Sequence, residues 1–439
     1  MENDKIKISV IVTIHNAEKY IRECLTSVIG QTFSEIEILC MDGGSIDSTP
    51  QILREYAEKD GRIKIIDDPD TSYGHKVNRG IEAAKGEYIS VLESDDMYEE
   101  FMLEKLYETA ELYHADFVNG DYICFYDING RRFGHVTKMY AEENYNCLIN
   151  YREKPERFGI IPRYWTGLFR KEYLKRESIK MNESPGASYQ DMSFRFLTSI
   201  LAERAYHLNI PVYRYRIDNP ESSMYDSKKT IVIAEEHEYL EKELQKRNIM
   251  VPYIWYNALQ WKYTDFRGNM RHLKGSYRQE LFVRYLEELE RDRPMLEEYG
   301  GFGFRHGVTE MISEPPGVVA AMIDTDTEAE AARVKRLHQF LNKVTGIAGT
   351  KGIVLFGCGR IGSSIMELFM FEHDLISCLT DNSESLWNTN IRHYKVLPPE
   401  EATRRYPEAL YIIANKLHAL EIRVQLHSMG ISDSMICIY

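Results

Sequence analysis

Near the N-terminus, four short runs of apolar, mostly β-branched residues alternate with stretches of helical period, and nothing else in the chain restricts its fold as much. The runs are residues 7–14 (KISVIVTI), 36–41, 62–66 and 87–92. Continuous apolar character predicts strands buried on both faces, as in a parallel sheet. Between them, Ile21, Leu25 and Val28 make one helical stripe. Ile52, Leu53 and Tyr56 make a second, opened by Thr49 as N-cap and Pro50 at the first helical position. Val77, Ile81 and Ala84 make a third, closed by Gly86. This spacing predicts βαβ units and an open, mostly parallel α/β sheet. Ligands of such sheets lie outside the carboxyl ends of the strands. His15 and Asn16, residues 42–45 and residues 93–96 follow three of those ends, so they are expected to share one crevice.

The last group, in VLESDD (91–96), places Glu93, Asp95 and Asp96 together with Ser94. Carboxylates this close repel one another unless a cation lies among them. Oxygen-only ligands suit a hard ion such as Mg²⁺ or Mn²⁺, held here against a diphosphate. The plain alternative is an acidic turn that only solvates a loop. With 439 residues, 44% of them hydrophobic, the chain can bury two to four domain cores. A formal charge of −14 without a Lys/Arg-dense run argues against a nucleic-acid partner. The seven cysteines are scattered and form no C-x-x-C pair, so neither a zinc site nor a disulfide framework is expected, and reduced thiols fit a cytoplasmic location. The N-terminus lacks signal-peptide features, and no apolar run reaches the roughly 18 residues that span a bilayer.

The blocks VIVTIHNAEKYIRECLTSVIGQTF, EILCMDGGSIDST and NRGIEAAKGEYISVLESDD occur in this order. Together they resemble the nucleotide-binding half of family-2 glycosyltransferases of the GT-A, nucleotide-diphospho-sugar transferase fold, over about half the chain. The resemblance implies that Thr13, His15 and Asp42 hold the nucleobase, usually uracil, and the neighbouring Asn16 and Ser45 are expected to bind the nucleotide-sugar with them. It implies that Glu93 and Asp95, in the place of a D-x-D motif, meet the ribose and the metal-diphosphate, and that Asn78 matches the Asn of an R-N-x-G block. Four positions depart from the family pattern. Gly43 replaces the second Asp of D-D-G-S, Val77 stands where many members have Arg, Glu93 replaces Asp, and His15 replaces a common Tyr. Lys76 is a compensating cation for the diphosphate or a solvated helix residue.

Downstream, Met102, Leu106 and Ala110 predict a helix, residues 116–126 a strand, and Asn129-Gly130 a hairpin turn. Trp165 reads as a sugar-stacking platform for the acceptor or as core. Asp191 opens a predicted helix, 191–201, with Phe194, Leu197 and Leu201 inward. It is an N-cap or, as the resemblance implies, the catalytic base of an inverting enzyme, with Gln190 replacing the usual acidic neighbour. His207, Arg214 and Arg216 lie on the following strand without an assigned role.

Three domains are expected: residues 1–225 catalytic, 226–347 a helical module and linker helix with Trp255, Leu259, Trp261 and Phe266 in its core, and 348–439 a Rossmann-like domain. Pro315 and Pro316 are expected to break the helices. Residues 351–356 read as a strand leading into Gly357-Cys358-Gly359-Arg360-Ile361-Gly362 and a helix, which is G-x-G-x-x-G in its required context. Asp381 ends the next predicted strand, where a ribose-binding acid belongs. The segment resembles small Rossmann-like modules appended to bacterial sugar-modifying enzymes, and those glycines equally serve tight helix–sheet packing.

The resulting expectation is a metal-dependent inverting transferase that moves sugar from a nucleotide-sugar, with UDP the expected nucleotide, to a glycan or lipid-linked hydroxyl acceptor in bacterial surface polysaccharide or glycolipid synthesis. It would work at the inner face of the membrane through peripheral contact, and self-association stays open. A nucleotidyltransferase acting on a sugar phosphate and a non-catalytic nucleotide-sugar binder are the alternatives.

Overall fold

The computed structural model describes residues 6–70, 72–159, 162–221, 231–273, 275–299 and 316–439. The expected domain boundary at 225–226, and Pro315 of the expected helix break, lie outside the described residues. In chain order the first elements are β1 (Ile8–Ile14), α1 (Ile21–Ile29), β2 (Ile36–Asp42), α2 (Thr49–Ala57), β3 (Ile63–Asp67), α3 (Tyr73–Ala83), β4 (Tyr88–Glu93), β5 (Met97–Tyr98) and α4 (Met102–Tyr113). They continue with β6 (Phe117–Ile128), β7 (Arg131–Thr137), β8 (Leu148–Ile149), β9 (Gly167–Arg170), α5 (Lys171–Arg176), α6 (Met192–Leu201) and β10 (Ala205–Arg216).

The sheet runs β3-β2-β1-β4-β9-β6-β10-β5. Its β3-β2-β1-β4 half is parallel, as the continuous apolar runs predict, and all seven residues of β1 and of β2 are buried. From β4 onward the described pairings, β4 to β9 and β6 to β9, are antiparallel. Ile21, Leu25 and Val28 of α1 are buried as their spacing predicts. Two local details differ from expectation. Thr49 is not an N-cap: Ser48 holds that position, and the Thr49 hydroxyl accepts from the backbone of Ala17 at 2.8 Å, joining the β1–α1 loop to α2. The helix α3 ends at Ala83, ahead of Gly86. The Asn129-Gly130 turn holds, with φ of 53° and 75° at its two residues.

The chain separates into two compact units. The first comprises Met1–Ile123 and Thr137–Thr327, the second Cys124–Val136 and Glu328–Tyr439. Of the expected helical module, the residues up to Thr327 group with the first unit and those from Glu328 on with the second. Helices Ile233–Lys246, Pro252–Met270 and Gly275–Tyr299 share a core in which Leu259, Tyr263, Phe266, Leu281 and Tyr285 pack with Met192 of α6. In the second unit, strands β11 (Ile353–Phe356), β12 (Ile376–Thr380), β13 (Asn390–Ile391), β14 (Tyr394–Leu397), β15 (Leu410–Ile413) and β16 (Ile436–Ile438) take the order β13-β14-β12-β11-β15-β16. Tyr126 and Phe133 of the β6–β7 hairpin join its core with Leu355, Ile365 and Phe369. No described helix is long and apolar enough to cross a membrane.

His207 of β10 is fully buried and does not open onto a crevice. Its Nδ1 donates to Asn119 Oδ1 at 2.5 Å, its Nε2 accepts from Tyr151 at 2.7 Å, and its ring stacks on Tyr140 at 3.8 Å. Burial pushes this imidazole down to about 3, so the folded protein keeps it neutral. An unfolded histidine takes up a proton near its ordinary value of 6.5. The stabilisation tied to the neutral ring is thus complete above that pH and is lost as pH falls from there towards 3. Thermal melts across pH 4 to 8 should show a shallower acid-side decline for His207→Leu than for the parent, whatever the variant's absolute stability.

Candidate functional site

The parallel register sets Thr13 beside Glu93 and Ile14 beside Asp42, so the ends of β2, β1 and β4 form one rim. At its centre the Glu93 carboxylate accepts from hydroxyls on three segments. Thr13 reaches one oxygen at 2.9 Å, and Tyr73 at the start of α3 and Tyr164 just before β9 both reach the other. The two tyrosine hydroxyls are themselves 2.6 Å apart. Burial lifts the Glu93 carboxyl to about 7, against the opposing pull of those hydroxyls. Asp96 is also spoken for. Tyr213 donates to one oxygen at 2.8 Å and the Arg216 amide to the other at 2.7 Å, while burial pushes its carboxyl well up. Arg216 Nε braces the turn through the Asp95 carbonyl at 3.1 Å. Ser94 is partly buried on the same turn. Asp95 differs from both acids: Asn219 donates to its Oδ2 at 2.7 Å.

This arrangement tests the metal expectation. Glu93 accepts from hydroxyls on both oxygens, which commits most of its acceptor capacity to the protein. Asp95 does fit, because Mg²⁺ and Mn²⁺ commonly take one or two protein carboxylates and fill the remaining positions with water and phosphate oxygens. A separate acidic trio, Glu241, Glu288 and Asp292, brings carboxylate oxygens within 4.8 Å of one another. Its cation is already present as the buried Lys262 ammonium, 2.6 Å from Glu241 and 3.1 Å from Glu288.

On the β2 side, Ser45 donates to Asp42 Oδ1 through its amide at 3.0 Å and its hydroxyl at 2.6 Å. Asn16, at φ 49°, donates its amide to the Ser45 hydroxyl at 2.9 Å. The exposed His15 ring donates to the Gly43 carbonyl at 3.0 Å. Lys76 is buried, with Nζ donating to the Asp70 carbonyl at 2.8 Å. His15, Asn16, Asp42 and Ser45 are therefore linked at the ends of β1 and β2, with Thr13 on the same strand end bonded to Glu93.

Asn78 has a different task from the expected one. Its amide donates to the Met181 carbonyl at 3.0 Å and to Glu183 at 2.8 Å, and its oxygen accepts from the Met181 amide at 3.0 Å. It braces the loop before Asp191 and has no donor left for a nucleotide. The same loop is tied to α3 through Tyr73 N and the Gly186 carbonyl, at 2.8 Å. Gln190, standing where the family has an acid, accepts from the Ser188 amide at 2.6 Å and donates to the Gly186 carbonyl at 3.1 Å. Glu236 accepts from Asn182 at 3.0 Å and Ser184 at 2.5 Å, and burial raises its carboxyl.

Asp191 precedes α6 without making a side-chain cap. Its carboxylate instead meets Arg195 Nη1 at 3.1 Å. Arg195 also donates to the Pro162 carbonyl at 2.8 Å and lies over the Trp261 ring. Tyr164 links this region to the acidic turn, because after burial itself the carboxylates of Glu93 and Asp191 both push its hydroxyl upward. Trp165 is not an open sugar platform. Only 6% exposed, it stacks on Tyr215 at 5.2 Å and packs against Tyr213 and Tyr122 at 4.4 and 4.9 Å.

In the second unit, Gly357 has φ 115°, and a Cβ on Gly362 would lie 2.1 Å from the Gly357 carbonyl, which is the close helix–strand packing the motif requires. Gly359 faces open space. Asp381, expected to meet a ribose, accepts instead from the amides of Cys358 and Ser383, each at 2.9 Å. Both its oxygens therefore brace the loop.

Residues 9–176 match the family described as glycosyl transferase family 2. Glycosyltransferase GlyG of Streptococcus pneumoniae serotype 4 is 30% identical over 217 residues, which are 48% of this chain and 70% of that protein. The chain belongs to glycosyltransferase family 2. Glycosyltransferase GlyA of the same organism and EpsH of Bacillus subtilis are each 30% identical across 48% of this chain, and the matched parts span 30% and 60% of those proteins' own lengths. Among solved structures, Staphylococcus aureus TarS 1–349 in complex with UDP is 20% identical, with a TM-score of 0.41 over 69% of this chain and 97% of that one. The mostly parallel first sheet is the GT-A arrangement expected of a family-2 member, and β1, β2 and β4 carry its rim.

Sequence reasoning passed over Tyr73, Tyr164, Arg195 and Asn219. Arg195 was legible, since a residue four positions after Asp191 on a helix faces it. The tyrosines, two among 30, carried no local signal. The tightest approach beneath this site is at Gly74, where a Cβ would lie 1.8 Å from the Asn182 carbonyl oxygen. Gly74→Ala should cost about 1–3 kcal/mol by forcing α3 off the loop, lowering the thermal midpoint. Gly61→Ala, with nothing within 4 Å of its Cβ, should melt with the parent.

Proposed function

We propose that this family-2 member is a metal-dependent, inverting glycosyltransferase. It moves a sugar from a UDP-sugar to a hydroxyl of a glycan or lipid-linked acceptor in surface polysaccharide or glycolipid synthesis. The observation that carries the reading is Tyr164, whose hydroxyl bonds Glu93 on the acidic turn and lies in the field of Asp191. Tyr73 supports the same reading by geometry, since its hydroxyl bonds Glu93 and its amide bonds the Gly186 carbonyl of the loop that leads to Asp191.

In this reading the rim of His15, Asn16, Asp42 and Ser45 takes the nucleoside, and Asp95 faces the diphosphate and holds the divalent ion. That ion would offset the charge gathering on the departing diphosphate. Glu93, with its three hydroxyls, fixes the turn and so the position of Asp95. Asp191 accepts the proton of the acceptor hydroxyl as its oxygen attacks the anomeric carbon opposite the leaving group, and a single displacement inverts that carbon. Arg195 holds the Asp191 carboxylate in one orientation, and Glu236 holds the loop leading to it.

A panel of nucleotide-sugars, followed by nucleoside diphosphate release with and without Mn²⁺, tests the class. UDP release from one donor, abolished by chelation and restored by Mn²⁺, is the expected result. Asp191→Asn should bind UDP within about twofold of the parent while turnover falls about 10²-fold or more. Unchanged turnover in that variant would remove Asp191 from the mechanism. Asp95→Asn should lose the response to Mn²⁺, whereas a full response would move the ion elsewhere.

A further inference from the structure

We propose that Lys76 contacts the nucleobase and not the diphosphate, seated there by the missing side chain at Gly43, and that it forms with Asp42 a donor–acceptor pair for the edge of a uracil-like base. The inference rests on the reading of the rim as a nucleotide-sugar site. A Cβ at position 43 would lie 2.4 Å from Lys76 Cε and 3.0 Å from Nζ. Gly43 is absent from the glycines with positive φ, so backbone conformation does not demand glycine there. The closest contact would be with the lysine, and the Ile14 carbonyl would lie 3.2 Å away. The family pattern has a carboxylate at this position, and this chain has exchanged it for the end of a cation from α3.

Lysines seldom bury their ammonium group without partners. Lys76 is 7% exposed. Its Nζ has the Asp70 carbonyl at 2.8 Å and the Ser72 carbonyl at 3.5 Å. Burial draws its pKa down, and the carboxylates of Asp68, Asp70 and Asp42 support the charge. Those acids lie at the ends of β2 and β3, not on the acidic turn.

Strand order then separates base from diphosphate. β2 adjoins β1, and β1 adjoins β4. Two inter-strand spacings, about 10 Å, therefore lie between the strand that ends beside Gly43 and the strand that ends at Glu93. A cation serving the leaving phosphates belongs near Asp95. Lys76 sits with His15, whose ring is bonded to the Gly43 carbonyl, and with Asp42. Asp42 Oδ1 is engaged by Ser45, which leaves Oδ2 to accept. An acceptor beside an ammonium donor fits an N–H flanked by a carbonyl, as uracil presents. Cytosine offers a bare ring nitrogen at that position, which would face the carboxylate unpaired.

Binding of uridine, UMP, UDP and CDP to the parent, Lys76→Met, Lys76→Gln and Gly43→Ala, by calorimetry with ligand-observed NMR for the weak ligands, tests this, with thermal melts to establish folding. The expected result is a loss of about tenfold or more in Lys76→Met that is the same for uridine, UMP and UDP. Gly43→Ala should reproduce that loss, Lys76→Gln should retain part of the affinity, and the parent should prefer UDP to CDP. A loss that grows with each added phosphate would assign Lys76 to the diphosphate and overturn the inference. So would parent-like affinity in both Lys76→Met and Gly43→Ala. If the parent bound UDP but not uridine or UMP, the base contact would fall while the donor-site reading stood. If it bound none of the four, both would fall.

Discussion

The Glu93 carboxylate, accepting from hydroxyls on three separate segments, is the interaction on which the crevice depends. Thr13 brings in the end of β1, Tyr73 the start of α3, and Tyr164 the segment before β9. A carboxylate taken from water without partners is costly. Hydrogen bonds to a charged group each return about 1.5–3 kcal/mol. Three hydroxyls converging on one acid therefore tie together β1, α3 and the segment before β9. The same knot orders the approach to Asp191, because the Tyr73 amide also donates to the loop carbonyl of Gly186.

The parallel half of the sheet was legible because its strands are buried on both faces and so carry unbroken apolar runs. The antiparallel half was less so. β9 contributes four residues and β5 two, too few to display a period of two. The division into units was hidden for another reason. The hairpin residues 124–136 are ordinary strand sequence, and only the packing of Tyr126 and Phe133 against Leu355, Ile365 and Phe369 assigns them to the second unit. The helical segment up to Thr327 groups with the first unit, where the Leu259 and Phe266 core takes in Met192 of α6.

At the site, strand ends could be read but side-chain partners could not. The rim at residues 13–16 and 42–45 follows from where apolar runs stop. The hydroxyls that claim Glu93 come from positions 20 and 71 residues away, a separation that no motif spacing encodes. Trp165 drew attention as the larger ring, yet its neighbour Tyr164 points the polar group into the crevice while Trp165 packs among tyrosines. Asn78 was named through its block and turned out to serve the loop backbone.

Acids at strand ends fall into two kinds here, and hydrogen-bond donors separate them where sequence cannot. Glu93, Asp96 and Asp381 each have both oxygens engaged by the protein's own hydroxyls or amides. They shape turns. Asp42 gives one oxygen to Ser45, Asp95 accepts from Asn219, and Asp191 meets a single guanidinium. These keep capacity for a ligand. The substitution of Glu for Asp at position 93 follows from this division. Glutamate has one more methylene, and that length carries its carboxylate away from the turn backbone to where the Tyr73 and Tyr164 hydroxyls meet. An aspartate anchored at the same Cα would end short of them, leaving two buried phenols without their shared acceptor, the kind of deficit that costs more than the bond itself returns. In the proposed mechanism the longer arm makes position 93 part of the scaffold and leaves the diphosphate-facing role to Asp95.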